Sequence, residues 1–568
     1  MSKINEGIIL KGIWKTFIWF LIILYSIIVS STLLGILSIF RLEYVVIFSI
    51  LISAILYMYW GKDLSTDFSH NSSKNLNSVQ TKNYSIINWM GYGLSVLLLL
   101  LILVPIMNWP MSIMEKTLNW DAGLYHIPKA VELWLTGSAW DFTISYGDYP
   151  LGYESLLSFT LFFTKNIGQF SIAHLVIILL AILGTWFLTM QYSKLPPGII
   201  LLGIIFLILS GFLPVFNPWY FLHFVPYAIG KNDLFLAAAT VSAMVFVPLQ
   251  KKERKKTDWI GLGISSGLAI SIKPNCALIL LFLWIYALLF TDIEKPFKRT
   301  LLPGMILASL GGGWIIRNLI GLNQLFLPSS YRIAEWSIWS NLNNPEFYLH
   351  IPKELVFSLL LSLILIIFGF VKKTQLSIAD ALLFVITLIS FIITPASLNP
   401  NDPTAIAWRF GLSMLLLQFV YFVAVLDPFD RFLLDWIMKF RFLSYLATAI
   451  IFMTMAGFFF SQKELLPKKP DLASMLDRPY AVYDSTYLSI FDYVDENVHN
   501  SVVWIEGAQH YYAYDRDFTN TTTRSRDADY IVILDKSLED MWFDVSNWDI
   551  VYEDSRGYVL KNQYLKPD

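Results

Sequence analysis

Long apolar runs recur along this chain, and they constrain its fold more than any other feature. Each run has about 17 to 25 residues, the length with which an α-helix crosses the hydrocarbon core of a bilayer. Charged residues make up 15% of the chain, against roughly 25% in soluble domains. The pattern predicts an α-helical multi-pass membrane protein of about 13 spans. The expected spans are 13–37, 43–60, 89–108, 170–192, 198–216, 233–250, 258–272, 275–291, 300–318, 354–371, 377–394, 410–426 and 442–461.

Basic loops predict which side of the membrane each segment faces, because Lys and Arg are retained on the cytoplasmic side. The run KKERKK, Lys251 to Lys256, is the strongest such signal, and two shorter basic loops agree with it. This orientation places the long polar loops, with 109–150 as the first large one, on the non-cytoplasmic face. The apolar piece 151–165 suits either a tilted short span or a re-entrant segment, and the sequence leaves this open.

The last hundred residues have a different character, because charge rises and long apolar runs end. The stretch YLSIFDYVDENV has helical spacing, and SVVWIEG and DYIVILD have the composition of strands. WDIVYEDSRGYVLKN contains a turn, Asp554 to Gly557, between two β-rich arms. We therefore expect a transmembrane domain over 1–465 and a small extracytoplasmic α/β domain over 466–568, in a protein of the cell membrane.

Several classes of function are disfavoured by what the chain lacks. Its net charge of −2 provides no basic face of the kind that nucleic-acid-binding proteins carry. Cys276 is the only cysteine, so no internal disulfide can form, and we expect it to be a packing residue. Neither a phosphate-binding Gly-x-x-x-x-Gly-Lys-Ser/Thr loop nor a His-Glu-x-x-His zinc motif occurs.

A polar, aromatic stretch follows the apolar run that ends near residue 108: NWDAGLYHIPKAVELW, from Asn119 to Trp134. A carboxylate held at the membrane surface, here Asp121, can act as a base or bind a metal, and partial burial raises its pKa toward a useful value. The alternative is that Asp121 caps a short helical turn. The helix predicted after Pro128 has an apolar side that suits the membrane surface.

A second polar stretch, YGDYPLGYES, runs from Tyr146 to Ser155. Asp148 and Glu154 stand on either side of a Tyr-Pro-Leu-Gly turn, where they could provide a second acid/base group or metal ligands. The alternative, which we favour for Glu154 taken alone, is a turn aspartate and a glutamate in the first turn of a helix.

Five segments, in this order, resemble the membrane glycosyltransferases of the C-type fold (GT-C). The branch they resemble contains protein O-mannosyltransferases and lipid A aminoarabinose transferases, and the resemblance covers about 110–415. The segments are NWDAGLYH, YGDYPLGYE, YAIGKNDLFLAAA, LAISIKPN and WIIRNLIGLNQLFLP. The resemblance implies transfer of a sugar from a polyprenyl-phosphate donor, within the membrane lipids, to an acceptor protein, lipid or glycan on the non-cytoplasmic face. Direct displacement with one base predicts inversion of the anomeric carbon.

The resemblance also implies roles for individual residues. Asp121 matches the catalytic carboxylate of the first outer loop, and Asp148 is a second catalytic candidate. Guanidinium groups bind phosphate bidentately, so Arg409 is the favoured donor-phosphate ligand, although anchoring at the interface is the commoner role of such an arginine. The further phosphate-binding candidates are Arg317 and Lys231, and the candidates that line the substrate cavity are Tyr125, His126, Tyr149, Glu154 and His223.

Two other basic residues have weaker claims to a role. Arg332 also lies in an outer loop near a span end, and Lys273 follows an apolar run in the Lys-Pro break. For Lys273 we favour extension of the ammonium group toward the interface over a functional role.

One departure from the family's pattern concerns the residue after Asp121. Many relatives have an Asp-Glu pair at this place, whereas this chain has Asp121-Ala122. The departure puts in doubt any mechanism that needs both carboxylates. Asp148 could provide the missing group in space, and a divalent metal ion is left open.

Two other functions compete with the transferase: a secondary transporter or flippase, which would place charges within its spans, and a polymerase or ligase that uses lipid-linked glycans.

Overall fold

A computed structural model describes the chain in segments. These are residues 3–60, 82–107, 121–164, 170–210, 230–247, 249, 256–290, 296–325, 353–392, 411–426, 488–506, 510–515, 517–523, 527–541 and 543–564. Helices dominate the described residues as far as 426, and a small sheet follows 488. The predicted combination of apolar helices with a C-terminal α/β unit is therefore confirmed in its outline.

The helices of the apolar part are numbered here in chain order. They are α1 (Lys3–Ile36), α2 (Leu42–Trp60), α3 (Lys82–Met107), α4 (Ile127–Thr136), α5 (Gly152–Thr164), α6 (Phe170–Tyr192), α7 (Pro197–Ser210), α8 (Asp233–Val245), α9 (Lys256–Ile272), α10 (Ala277–Leu289), α11 (Pro296–Gly311), α12 (Gly313–Leu322), α13 (Lys353–Val371), α14 (Ile378–Ile392) and α15 (Leu412–Leu426).

Three of the described helices are long and apolar enough to cross a membrane: Leu10–Ile36, Leu42–Trp60 and Phe170–Tyr192. A fourth span results if Thr300–Gly311 and Gly313–Leu322, which meet at a bend of 44°, form one broken span. Several other expected spans appear as apolar helices of 10–17 residues. The expected span 442–461 lies outside the described residues, so the structure shows the membrane-type helices without showing all thirteen.

Helices α6 and α8 form the centre of the apolar part. All thirteen residues of α8 are buried, and α8 packs against α6, α9 and α15. Gly263 of α9 lets the backbone of α11 approach closely, since a Cβ there would lie 2.6 Å from the Pro303 carbonyl oxygen. Such a close approach of two backbones is typical of glycine at the interface between membrane helices.

The apolar piece 151–165, for which the sequence suits either a tilted short span or a re-entrant segment, contains helix α5. It has 13 residues, about 20 Å at the rise of an α-helix, which is short of the ~30 Å hydrocarbon core. Helix α5 packs against α1, α4 and α6. Its buried face therefore supports α4, which belongs to the polar stretch after Asp121.

The C-terminal domain, defined here as residues 488–564, consists of a helix and one mixed sheet. Helix α16 (Leu488–Asn497) precedes β1 (Val502–Glu506), β2 (Thr521–Thr522), β3 (Tyr530–Leu534), β4 (Trp548–Asp554) and β5 (Gly557–Asn562). The strand order is β2-β1-β3-β5-β4. Strand β1 is parallel to β2 and β3, while β5 is antiparallel to β3 and β4. The predicted helix, the two predicted strands and the β4–β5 hairpin are confirmed, whereas β2 is too short to show a pattern.

Candidate functional site

Asp121 lies at the start of a single turn of π-helix, Ala122–His126, which leads directly into α4. Its backbone is helical, and its side chain makes no capping hydrogen bond to the turn that follows. The capping alternative is therefore wrong in this structure. The carboxylate is half-buried, and its charge acts on the imidazole of His126.

Ala122 is buried against the backbone of Gly230, which explains the size of the residue at this position. A Cβ added to Gly230 would lie 2.5 Å from the Ala122 Cβ, and Gly230 has a φ of +84° that favours glycine. A carboxylate at position 122 would have to displace this contact. A second carboxylate at position 122 thus has no room here unless Gly230 moves.

Glu154 lies at the centre of a buried charged cluster beside Asp121. Its Oε1 atom is 2.7 Å from Nδ1 of His126 and 3.6 Å from Nζ of Lys129. The Lys129 ammonium also donates to the Tyr146 carbonyl oxygen at 3.2 Å. All three charged or titratable side chains of this cluster are almost fully buried. The first turn of α5 therefore contacts the beginning of α4 through charged side chains.

The environment of the cluster shifts two pKa values in the direction of the neutral forms. Burial lowers the pKa of His126, against the opposing effect of Glu154. Burial also lowers the pKa of Lys129, again against Glu154. A neutral His126 that donates from Nδ1 to a carboxylate keeps Nε2 as an acceptor, which is the arrangement that an orienting carboxylate gives to a histidine base.

Asp148 is fully buried next to the same cluster. Its charge acts on Lys129 and on Arg317, and its main-chain carbonyl accepts from the Asn318 amide at 2.5 Å. Asp121 and Asp148 therefore both act electrostatically on the charged cluster around Glu154. Within the described segments, no three His, Cys, Asp or Glu side chains are grouped as a metal site requires.

Arg317, expected as a phosphate ligand, has its guanidinium directed at the main chain of the loop before α5. The Nη1 atom donates to the Ala139 carbonyl at 3.2 Å, and Nη2 donates to the Gly147 and Tyr149 carbonyls at 2.6 Å and 3.3 Å. The group also lies 4.9 Å from the centroid of the Phe142 ring. With these donors in use, Arg317 fixes the loop that carries Asp148. We therefore revise its role from phosphate binding to positioning.

Lys273 forms an ion pair that the sequence reasoning did not foresee. Its Nζ atom is 2.5 Å from Oδ1 of Asp233, the first residue of α8. The break between α9 and α10 positions Lys273, because Pro274 cannot continue the backbone hydrogen bonding of α9. The charge of Lys273 acts on His126, so Lys273 borders the same site. Lys231, two residues before Asp233, is half-buried.

Tyrosine rings border the site beside the charged residues. The ring centroid of Tyr125 is 4.1 Å from that of His126 and 4.7 Å from that of Tyr146. Tyr146 in turn lies 5.2 Å from Tyr149. The rings of Tyr153 and His126 are perpendicular, with their centroids 5.4 Å apart, and the Tyr153 hydroxyl accepts from the Gly230 amide at 3.0 Å. The expected cavity residues Tyr125, His126, Tyr149 and Glu154 are thus brought together.

Other expected residues lie outside the described part of the chain: Arg409, Arg332 and His223.

The sequence reasoning missed Lys129 and Asp233. Lys129 stands three residues after His126, the spacing that places two side chains on one helix face, so its position could have been found. Asp233 pairs with Lys273 across 40 residues of sequence, and no local pattern indicates that contact.

Comparison with protein-family models, with curated proteins and with solved structures found no match for this chain.

Proposed function

We propose that this chain is a membrane glycosyltransferase that moves a sugar from a polyprenyl-phosphate donor to an acceptor at the non-cytoplasmic membrane surface. The observation that carries the proposal is the position of Asp121. Its carboxylate is not used in helix capping and borders a buried cluster of opposite charges beside apolar helices. A donor that is half lipid and half sugar requires its reactive carbon to meet a base at such a boundary.

The proposed chemistry assigns one task to Asp121. Its carboxylate accepts the proton of the acceptor hydroxyl while the acceptor oxygen forms a bond to the anomeric carbon. The bond from that carbon to the phosphate oxygen breaks, and the polyprenyl phosphate leaves with the electron pair. Because the leaving group is a stable anion, it needs positive charge rather than a proton. Lys231 and Arg409 are the proposed sources of that charge, and the anomeric configuration inverts.

The positions of the other cations support this division of roles. Arg317 donates to three main-chain carbonyls, and Lys273 and Lys129 each lie within 4 Å of a carboxylate. These three residues hold the loop and the helix ends in place. Tyr125, Tyr149 and His126 would line the sugar site, since aromatic faces and hydrogen-bonding groups together suit a sugar.

Replacement of Asp121 by Asn tests the proposal directly. Asn keeps the size of the side chain and cannot accept the proton, so we expect transfer from a panel of polyprenyl-phosphate sugars to fall by roughly 10²- to 10⁴-fold. The measurement is mass spectrometry of the product formed by purified protein in lipid vesicles. Asp535→Asn is the control, because Asp535 is an exposed aspartate of the C-terminal domain.

The two possible failures of this experiment have different meanings. Equal transfer by Asp121→Asn and the unaltered protein would remove Asp121 as the base while leaving the reaction class in place. Absence of transfer by the unaltered protein with every donor of the panel would contradict the proposed reaction itself. A loss confined to Asp121→Asn, with Asp535→Asn fully active, supports both the reaction and the residue.

A further inference from the structure

The C-terminal domain contacts helix α4, the helix that directly follows the candidate site. The ring of Phe518 lies edge-on to Trp134 at a centroid distance of 6.0 Å. The Thr523 and Thr143 hydroxyls are 3.2 Å apart. The short helical turn His510–Ala513 of the domain also packs against the π-turn that begins after Asp121. This contact region therefore covers one side of the segment that carries the candidate base.

Glu132 is the acidic group within this contact. Its Oε1 atom accepts from the Thr522 amide at 2.8 Å and from the Tyr514 hydroxyl at 2.9 Å. The side chain is 4% exposed, and no salt bridge reaches it within the described segments. Because both donors meet Oε1, the protonated acid can use Oε1 as a carbonyl acceptor and carry its proton on Oε2. The contact therefore accommodates the neutral form of Glu132 without losing either hydrogen bond.

The charged and titratable groups around Glu132 come from every element that packs on α4. On α4 itself, Lys129 is directed to Glu154 of α5. Asp141, in the loop after α4, repels the charged form of Glu132. From the C-terminal domain, Tyr514 donates to Glu132, and Nδ1 of His510 lies 3.5 Å from the Thr522 hydroxyl. On the π-turn, His126 is directed to Glu154. Among the residues that the structure describes, no cation lies close enough to Glu132 to offset its charge.

We propose that the C-terminal domain is a protonation-dependent lid, which docks on α4 through the neutral form of Glu132 and loosens when Glu132 ionises. The lid closes over the π-turn beside Asp121 as the non-cytoplasmic solution becomes acidic. This inference rests on the contact between the domain and α4, and it stands whether or not the chain transfers a sugar.

The sign of the effect follows from proton linkage. Burial raises the pKa of Glu132 to about 7 in the docked state, whereas an undocked Glu132 on an exposed helix would have an ordinary pKa near 4.5. The docked state therefore binds the proton more tightly, and docking is strongest below the ordinary pKa. Docking weakens as the pH rises toward about 7 and stays weak above it. These two values imply a docking constant roughly 30-fold larger at pH 5.5 than at pH 8.

Amide hydrogen exchange of the full-length protein tests the lid through Thr522 itself. The Thr522 amide donates across the contact to Glu132, whereas the Thr521 and Thr523 amides donate within the domain to the Ser501 and Val503 carbonyls. Exchange at Thr522 thus reports undocking, and its two neighbours report unfolding of the domain. Mass spectrometry with residue-level fragmentation gives protection factors, which are corrected for the intrinsic pH dependence of exchange.

We expect the Thr522 protection factor to be roughly 30-fold larger at pH 5.5 than at pH 8, with little change at Thr521 and Thr523. In Glu132→Gln the amide mimics the protonated acid, so Thr522 should stay protected at both pH values. In Glu132→Ala the acceptor is absent, so Thr522 should lose protection at both. Glu496→Gln, which alters an exposed acid of α16, should behave like the unaltered protein.

Two results would overturn the lid. One is an equal Thr522 protection factor at pH 5.5 and pH 8 in the unaltered protein. The other is a pH dependence that persists in Glu132→Gln, which would assign the titration to another group. If Glu132→Ala unfolds the domain, the Thr521 and Thr523 amides lose protection as well, and Glu132→Gln alone decides the question.

Discussion

Glu154 connects two buried basic side chains, the imidazole of His126 and the amino group of Lys129. Its Oε1 atom lies within hydrogen-bonding distance of His126 and within 4 Å of Lys129. Its Oε2 atom is buried and has no hydrogen-bond partner among the described residues. Since a buried ion pair does not by itself add much stability, the value of this arrangement lies in orientation. Glu154 fixes the imidazole of His126 and the direction of Lys129 beside Asp121.

Removal of both members of this buried pair should cost less than the two single removals added together. Glu154→Ala leaves Lys129 without its carboxylate, and Lys129→Met leaves Glu154 without its ammonium, so each should destabilise the protein by about 3–5 kcal/mol. The double variant loses both charges together, and its loss should be well below the sum of the two single losses. Thermal unfolding in detergent measures the three values. Additive losses would show that the two side chains act independently.

Short irregularities of the backbone position the charged residues of the candidate site. The π-helical turn Ala122–His126 changes which side chains share a helix face just before α4. Such turns are frequent at functional sites. The break after α9 places Lys273 opposite the first residue of α8. The bend between α11 and α12 directs Arg317 at the loop before α5. The candidate site is thus built where regular helices end.

The contact between Ala122 and Gly230 provides a test of this irregular backbone. Gly230→Ala should destabilise the protein by about 1–3 kcal/mol, because it combines a Cβ clash with a φ of +84°. Adding Ala122→Gly removes the clash and should recover part of the loss, while the cost of the backbone angle remains. Unfolding temperatures in detergent give the comparison. Gly12→Ala is the control, since no atom lies within 4 Å of a Cβ there.

No recovery in the double variant would mean that the close contact between the π-turn and Gly230 does not contribute to stability. A full recovery would mean that the positive φ carries no cost. A partial recovery, the expected outcome, assigns the loss to both causes.

The sequence predicted elements whose signal is local, and it could not predict pairings between distant segments. The β4–β5 hairpin was predictable because alternating side chains and an Asp-Ser-Arg-Gly turn lie within fifteen residues. The grouping of Tyr125, His126 and Glu154 followed from two polar stretches close in sequence. The pairing of Asp233 with Lys273 and the use of Arg317 as a loop clamp depend on helix packing. The contact of Glu132 with Tyr514 joins residues 382 positions apart, and no periodicity encodes it.

At the scale of the whole molecule, the C-terminal domain and helix α4 form one continuous contact. The domain supplies aromatic packing at Phe518 and hydrogen bonds at Tyr514 and Thr522. The first contribution is independent of pH, and the second is linked to a proton through Glu132. In such a lid, the apolar contact contributes a part of the docking free energy that does not depend on pH. Protonation of Glu132 contributes a second part that does. The pH dependence and the strength of docking should therefore be separable by mutation.

Phe518→Ala tests that separation. The substitution removes the ring contact with Trp134, so the Thr522 protection factor should fall at least about tenfold, equivalent to ~1.4 kcal/mol, at both pH 5.5 and pH 8. The ratio between the two pH values should stay roughly 30-fold, because Glu132 keeps its donors. Amide exchange at Thr522 measures both quantities in one experiment. A ratio that collapses toward one would show that Phe518 packing and Glu132 protonation act as one inseparable step.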